Sequence, residues 1–597
     1  MTTQLPHWDM SVVYPGLQSP EFEAGFQSLV AQIEDLTALF DTHGVGAQPP
    51  AASPEETVAA AEAVITALNS VVDFASTIGA YVHAFVTTDT RDTTAQAANS
   101  RLDQQYTRLS LLETRFTAWI GALDLDALIA SSTIAADHAF ALRQSARAAQ
   151  HQMSPDEESL ASELSLSGSA AWAKLQSNVS SQQLVPIERG GEMVELPMSA
   201  VRNLAYDADR DVRRRAYEAE LAAWQRVDVP IAGALNAIKW EYATLARRRG
   251  WSSPLAVSLF DSHIDQQTLD AMMTAAHESF PDFRRYLRDK ARLLGLERLA
   301  WYDLFAPVGE SRRAWSWDAA TAFVVERFRA YSPRMGALAE RAFRERWVDA
   351  EPRVGKRDGA FCMSLRGDES RVFANFQPSF AGMSTLAHEL GHAYHNLNLA
   401  ERTALQSEMP MTLAETASIF CETIIRDAVL AESDREEQLA ILEASLQGNC
   451  QIVVDITSRY LFEQAVFDGR VERELSVAEL CDAMTTAQRE TYGDGLDDAA
   501  LHPYMWAAKP HYYSGGRAFY NYPYMFGLLF GLGLYARYRQ DPDGFPERYD
   551  RLLSSTGLAD AATLAADFGI DLHAVDFWRA SLDMIRSDID RFAELVG

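Results

Sequence analysis

The sequence predicts a mainly α protein that carries one small β-sheet. Long stretches rich in Ala, Leu, Glu and Arg repeat apolar residues at spacings of three and four, and only one region before the chemical motifs reads as paired strands. Of the 597 residues 48% are hydrophobic, enough to bury one very large core or several cooperating ones.

In chain order, residues 54–69, 93–123, 211–226 and 269–294 show the helical spacing most clearly. Pro/Gly-rich punctuation at 45–54 and 186–197 marks breaks, the second holding Arg189-Gly-Gly-Glu192, a hairpin-type turn. A boundary is expected near 190, with an N-terminal helical domain over 1–190 and a catalytic domain over 191–597. The strand-like region is 359–365 and 371–376, separated by a polar turn at 367–370. No repeat of fixed period and no low-complexity tract is evident, which makes a solenoid an unlikely architecture.

The chain carries 53 basic and 83 acidic side chains, a formal net charge of −30. Such a charge repels a phosphate backbone, and no basic stripe interleaved with aromatics counters it, so no nucleic acid partner is expected. A well-solvated acidic surface explains the charge; a cavity field favouring cationic ligands is the narrower explanation. The opening run, Met1-Thr-Thr-Gln-Leu-Pro-His-Trp-Asp-Met10, lacks the basic region and apolar stretch of a secretory signal. No stretch approaches the roughly 18 consecutive apolar residues that span a bilayer, so no membrane partner is expected either. Cys362, Cys421, Cys450 and Cys481 lie far apart without Cys-x-x-Cys spacing. That argues against a disulfide framework or a structural zinc knot, and for a cytoplasmic address with reduced thiols.

The run that carries chemistry is Ser384-Thr-Leu-Ala-His388-Glu389-Leu-Gly-His392-Ala-Tyr-His395. On a helix, His388 and His392 lie one turn apart on one face, so two imidazoles can share a tetrahedral metal ion. Glu389 follows the first of them by one residue, which sets its carboxylate beside the ion instead of on it. There it can take a proton from water attacking a carbonyl, the logic of metal-assisted amide hydrolysis with zinc as Lewis acid. The plain alternative is a half-buried helix whose histidines merely hydrogen-bond. His395 as a fourth ligand would close the site to water, and reads as structural or as a support for the ligands.

A catalytic zinc needs a third protein ligand, and Glu401, Glu408, Glu415 and Glu422 compete. The small neighbours Ala414, Ala417 and Ser418 would let the Glu415 segment pack closely on the motif helix. Against that, Thr412 and Glu415 have the spacing of a capping box, which would turn the carboxylate back to its own helix start. Local sequence leaves these two readings even.

Further segments join the motif: Trp8-Asp-Met10 with Tyr14-Pro-Gly16, Asp211-Val-Arg-Arg-Arg-Ala216, Gly355-Lys-Arg-Asp-Gly-Ala-Phe-Cys362, Val372-Phe-Ala-Asn-Phe376, Ala414-Glu-Thr-Ala-Ser418 and a late tyrosine cluster. Together with Thr385 to His395 they resemble the thimet oligopeptidase and neurolysin family of zinc metallopeptidases, in its oligoendopeptidase F branch. The resemblance runs through most of the chain; its zinc-binding block is highly specific and its N-terminal fragments are individually weak. It implies a zincin-like helical ellipsoid with a deep central channel, one Zn2+ per chain on its floor, and a small sheet whose edge strand pairs with substrate. It also implies Glu415 as the third zinc ligand, beside His388 and His392, and makes Glu422 a candidate support.

Residues 510–524, Pro-His511-Tyr-Tyr513-Ser-Gly-Gly-Arg-Ala-Phe-Tyr520-Asn-Tyr522-Pro-Tyr524, concentrate phenols that could hydrogen-bond an oxyanion or the peptide around it, or could pack as an aromatic core. The resemblance assigns His511, Tyr520 and Tyr522 to substrate binding and the transition state, with Tyr513 and Tyr524 in reserve. Two departures stand out: a few extra residues at 514–517, and Gly382 where relatives carry an aspartate. The expected function is a zinc metalloendopeptidase that hydrolyses internal bonds of short unfolded oligopeptides through a zinc-activated water, with Glu389 as base. A metal-dependent exopeptidase is the alternative, and an inactive peptide-binding relative a more distant one. The expected partners are short peptides, and the oligomeric state is monomer or dimer.

Overall fold

All four of the segments singled out by apolar spacing form helices, Pro54–Thr88, Thr93–Gly121, Arg210–Gln225 and Gln266–Leu293. Their starts follow from local chemistry. Ser53, Asp92, Asp209 and Asp265 stand at the N-caps, where each side chain accepts a backbone N–H of the first turn. The structure, a computed structural model, describes residues 5–48, 52–309 and 313–597. Residues 49–51 of the expected break, and Met1 to Gln4 of the opening run, lie outside the described residues.

The chain separates into two compact units, each made of three segments. Unit 1 comprises Met1–Gln152, Arg313–Val429 and Arg537–Phe568; unit 2 comprises Met153–Arg312, Leu430–Ala536 and Gly569–Gly597. This cut differs from the division expected at 190. The punctuation there belongs to an antiparallel hairpin inside unit 2, β1 (Leu184–Arg189) and β2 (Glu192–Pro197). Gly190 and Gly191 form its turn with φ of 63° and 85°, the left-handed pair that suits a two-residue hairpin. Glycines that close a turn and glycines that loosen a linker look alike in sequence.

In unit 1, the helices Pro20–Thr42, Pro54–Thr88 and Thr93–Gly121 bury Phe22, Leu36, Val64, Ile78, Tyr81 and Phe116 in one core. Pro54–Thr88 is the one helix among the described residues long and apolar enough to cross a membrane by length and composition. A search for unbroken apolar runs passes over it because Glu62, Asn69 and Asp73 interrupt it. Its Val64, Ile65, Leu68, Ile78 and Val82 are spent in the unit 1 core.

The expected strand pair is present in unit 1 as β4 (Phe361–Arg366) and β5 (Glu369–Phe373). A two-residue strand too short for any sequence pattern, β3 (Val348–Asp349), joins β5 in parallel, giving the order β3-β5-β4. Phe361 and Phe373, register partners in β4 and β5, stack with centroids 4.9 Å apart. Strand β4 is thus an edge strand. In unit 2, Gln266–Leu293 packs along the C-terminal helix Val575–Val596. The four cysteines are free thiols, and Cys421 and Cys450 are buried.

Candidate metal centre

The motif occupies one helix of unit 1, Phe380–Leu399. Ser379 caps it, accepting the Gly382 N–H at 3.2 Å. A side chain at 382 is impossible without rearrangement, because a Cβ there would stand 2.1 Å from the Gln377 carbonyl oxygen. Glycine is required at 382 for this steric reason, and Ser379 supplies the cap. The helix buries Met383, Leu386, Ala387, Leu390 and Ala393, each of the two leucines contributing about 2 kcal/mol. His388 and His392 keep about a quarter of their side-chain surface exposed. Asn396 ties the helix to the sheet, donating to Ser370 Oγ at 3.1 Å.

Glu415 stands between the short helix Met411–Ala414 and the helix Thr416–Glu432. The short helix before it has its N-cap at Pro410, not at Thr412, and has no side-chain cap. Glu415 Oε2 lies 3.3 Å from His388 Nε2 and 3.5 Å from His392 Nε2, and the donor atoms of the three residues all lie within 4.8 Å of one another. Ligands bound to a tetrahedral zinc at about 2.0–2.1 Å are separated by about 3.3 Å, so the two measured edges are those a zinc ion requires. Among the described residues, this is the one group of histidine, cysteine and acid side chains with such spacing.

Close approach of two backbones makes this possible. A Cβ on Gly391 would meet the Ala417 carbonyl oxygen and Ser418 Cα, both at 2.6 Å. The glycine inside the motif is therefore what lets the Glu415 segment reach the imidazoles, a role invisible in the sequence. We expect Gly391→Ala to destabilise the protein by about 2 kcal/mol through overpacking. Chelator competition is expected to show metal affinity weakened about 10- to 100-fold by displacement of Glu415; denaturant melts read the first effect.

Burial disfavours a charge on His388, yet Glu415 and Glu422 outweigh it and raise its pKa to about 10. Burial drives His392 down to about 4, and Glu415 is held at about 2 against its own burial by His388 and His392. The carboxylate field is arranged to hold a cation, and a divalent ion competes with the His388 proton for the same lone pairs. Glu422 accepts from His388 Nδ1 at 3.1 Å and from Ser384 Oγ at 3.3 Å, which orients the ring. Ser418 donates to Glu415 Oε2 at 2.5 Å, a support that only its position three residues after Glu415 could have suggested.

Glu389 is 5% exposed, and burial raises its pKa to about 7, with His388 opposing and the neighbouring carboxylates adding to the rise. Its Oε2 has no hydrogen-bond partner among the described residues. A carboxylate near neutrality with an unengaged oxygen has the properties of a general base. His395 is buried outside the ligand group, its Nε2 2.9 Å from Thr556 Oγ1, a structural position.

The sequence profile described as peptidase family M3 matches residues 203–584, and that described as oligopeptidase F matches residues 120–182. The first match covers well over half of the chain. The protein belongs to peptidase family M3. It is thereby a metallopeptidase that hydrolyses peptide bonds. It is 24% identical over 408 residues to an oligoendopeptidase F homolog of Lactococcus lactis subsp. lactis strain IL1403, covering 68% of this chain and 67% of that protein. Its fold is that of a candidate peptidase from Chlamydophila abortus (TM-score 0.82, 20% identity, 99% of this chain and 100% of that one). It also matches oligoendopeptidase-F from Enterococcus faecium (TM-score 0.70, 20% identity, 96% and 99%).

In unit 2 of this M3 peptidase, His511 stacks on Tyr520 with centroids 5.7 Å apart and planes 22° from parallel, and Tyr524 meets Tyr520 edge-on at 5.8 Å. His511 and Tyr520 are half-buried. Burial lowers the His511 pKa, and Arg459 and Lys509 lower it further. Tyr522 is placed differently from Tyr520. It is fully buried, and its hydroxyl is engaged with Ser258 Oγ at 3.1 Å and Ser262 Oγ at 3.0 Å, so it serves the unit 2 core. Tyr513 is likewise committed, donating to the Trp506 carbonyl at 3.1 Å. The period of two in Tyr520, Tyr522 and Tyr524 does not distinguish a core phenol from an available one. Tyr522→Phe is expected to lower stability by about 1 kcal/mol and to leave peptide turnover nearly unchanged, whereas Tyr520→Phe should lower turnover without that loss. Melting curves and rates measured side by side separate the two.

Proposed function

We propose that this metallopeptidase is a zinc endopeptidase of short unfolded oligopeptides, in which His388, His392 and Glu415 hold the zinc and Glu389 is the general base. The observation that carries this reading is the convergence of three donor atoms at zinc-ligand spacing beside a buried carboxylate with a free oxygen. Zinc, when bound, supplies a Lewis acid that polarises the scissile carbonyl. The chain's own residues do the rest. Glu389 accepts a proton from the attacking water and returns it to the leaving nitrogen, and its pKa of about 7 suits both transfers. Glu422 fixes the His388 ring, and Ser418 fixes the Glu415 carboxylate. The edge strand β4 can take an extended peptide by backbone pairing. His511 and Tyr520 are the donors we assign to the developing oxyanion. The free thiols fit a cytoplasmic enzyme.

Short peptides with both ends blocked test this reading. Cuts at internal bonds, with zinc bound in stoichiometric amount, are the expected result. Cleavage confined to free termini would make the enzyme an exopeptidase, and peptide binding without hydrolysis by zinc-loaded protein would remove the enzymatic reading of this centre.

A further inference from the structure

A cavity of about 210 Å³ lies wholly within unit 2 and shares no residue with the metal centre. Aromatic rings form much of its wall, among them Tyr206, Tyr217, Trp301, Tyr302 and Phe305. Another part of the wall is the π-helical turn Gln451–Asp455, which contributes Gln451 and Asp455. Such turns interrupt a helix at a cost and recur at functional sites.

The charges around the cavity do not balance locally. Arg202 is paired with Glu220 at 2.7 Å, Arg213 with Asp303 at 2.9 Å, and Arg459, behind the wall, with Asp455. Lys509 also lines the cavity and is partly exposed. Burial lowers its pKa to about 8, with Arg459 and Arg202 as repelling neighbours and Asp455 and Glu220 as weaker attractive ones. A second donor, the buried Nε of Arg213, has no partner among the described residues. The two acids that attract Lys509 are each also engaged by an arginine, Glu220 by Arg202 and Asp455 by Arg459, so a ligand carboxylate would add a counter-charge that no arginine shares. The volume sets the scale of that ligand: a cavity of about 150 Å³ accommodates benzene, so this one has room for a ring bearing a short polar arm.

We propose that this cavity is a second small-molecule site of the protein, which takes an aromatic carboxylate of the size of a free or N-acylated amino acid. The carboxylate pairs with Lys509 and the ring lies among Tyr217, Trp301 and Tyr302. The convergence of the Lys509 ammonium and the unpartnered Arg213 Nε with aromatic walls around one cavity carries the assignment.

Calorimetric titration of N-acetyl-L-phenylalanine into the full chain, with and without zinc, tests it. Saturable binding that persists without zinc is expected, weakened at least about tenfold for N-acetyl-L-phenylalaninamide, which lacks the carboxylate, and by the same factor in Lys509→Gln. Tyr302→Ala should weaken it as well, and the amide comparison on unaltered protein decides the question even if a variant fails to fold. Equal binding of acid and amide, unchanged binding in a folded Lys509→Gln protein, or binding only in the presence of zinc would overturn the proposal.

Discussion

Glu389→Gln leaves the zinc bound and lowers kcat for an end-blocked peptide by about three orders of magnitude, within the range that general-base catalysis supplies. Three observations lead to that expectation. Glu389 is not among the ligand atoms, so its replacement does not open the metal site. Its Oε2 is unpartnered, so the change breaks no hydrogen bond there that the fold relies on. Glutamine has nearly the same shape, but its amide cannot accept and return a proton. Because burial already raises the Glu389 pKa to about 7, the uncharged replacement is also expected to leave stability unchanged or slightly higher. Rate measurements with metal analysis on the same samples check the result, and a variant that keeps its activity would remove Glu389 from the mechanism.

His392→Ala loses both zinc and turnover. Burial keeps this imidazole neutral, its pKa about 4, so it offers a lone pair without first losing a proton, and its Nε2 lies 3.5 Å from Glu415 Oε2. Removing it leaves two ligands where a catalytic zinc uses three. We expect affinity to fall by more than about 100-fold, beyond the effect of removing a residue that only orients a ligand. Glu422→Gln provides that contrast. Glu422 touches His388 Nδ1 and Ser384, and its side chain is 43% exposed, so part of its effect is screened by solvent. A loss of about tenfold, with turnover restored by added zinc, is expected there. Competition with a chelator of known affinity ranks the variants, and equal losses in both would contradict the division between ligand and support.

Much of this was legible in the residues. The helices at 54–69 and 269–294 follow from apolar spacing and their caps, and the strand pair at 361–373 from its short runs on either side of Gly367. The pairing of His388 with His392 follows from helical geometry alone. Glu415 could not be chosen over a capping role from local sequence, because the decision rests on a contact between segments: Gly391 against Ala417 and Ser418. The boundary expected near 190 does not coincide with the division into two compact units for a related reason. Each unit is assembled from three separated segments, and no local signal reports which distant segments pack together. The engagement of Tyr522 by Ser258 and Ser262 was not legible because those partners lie far away in sequence.

Anomalous diffraction at the zinc edge from crystals of the zinc-loaded Glu389→Gln protein tests the central claim most directly. The account predicts one strong peak bonded to His388 Nε2, His392 Nε2 and a Glu415 carboxylate oxygen, with Glu422 against His388 Nδ1. A peak held by other residues, or no peak at these three atoms in protein that retains stoichiometric zinc, would contradict it.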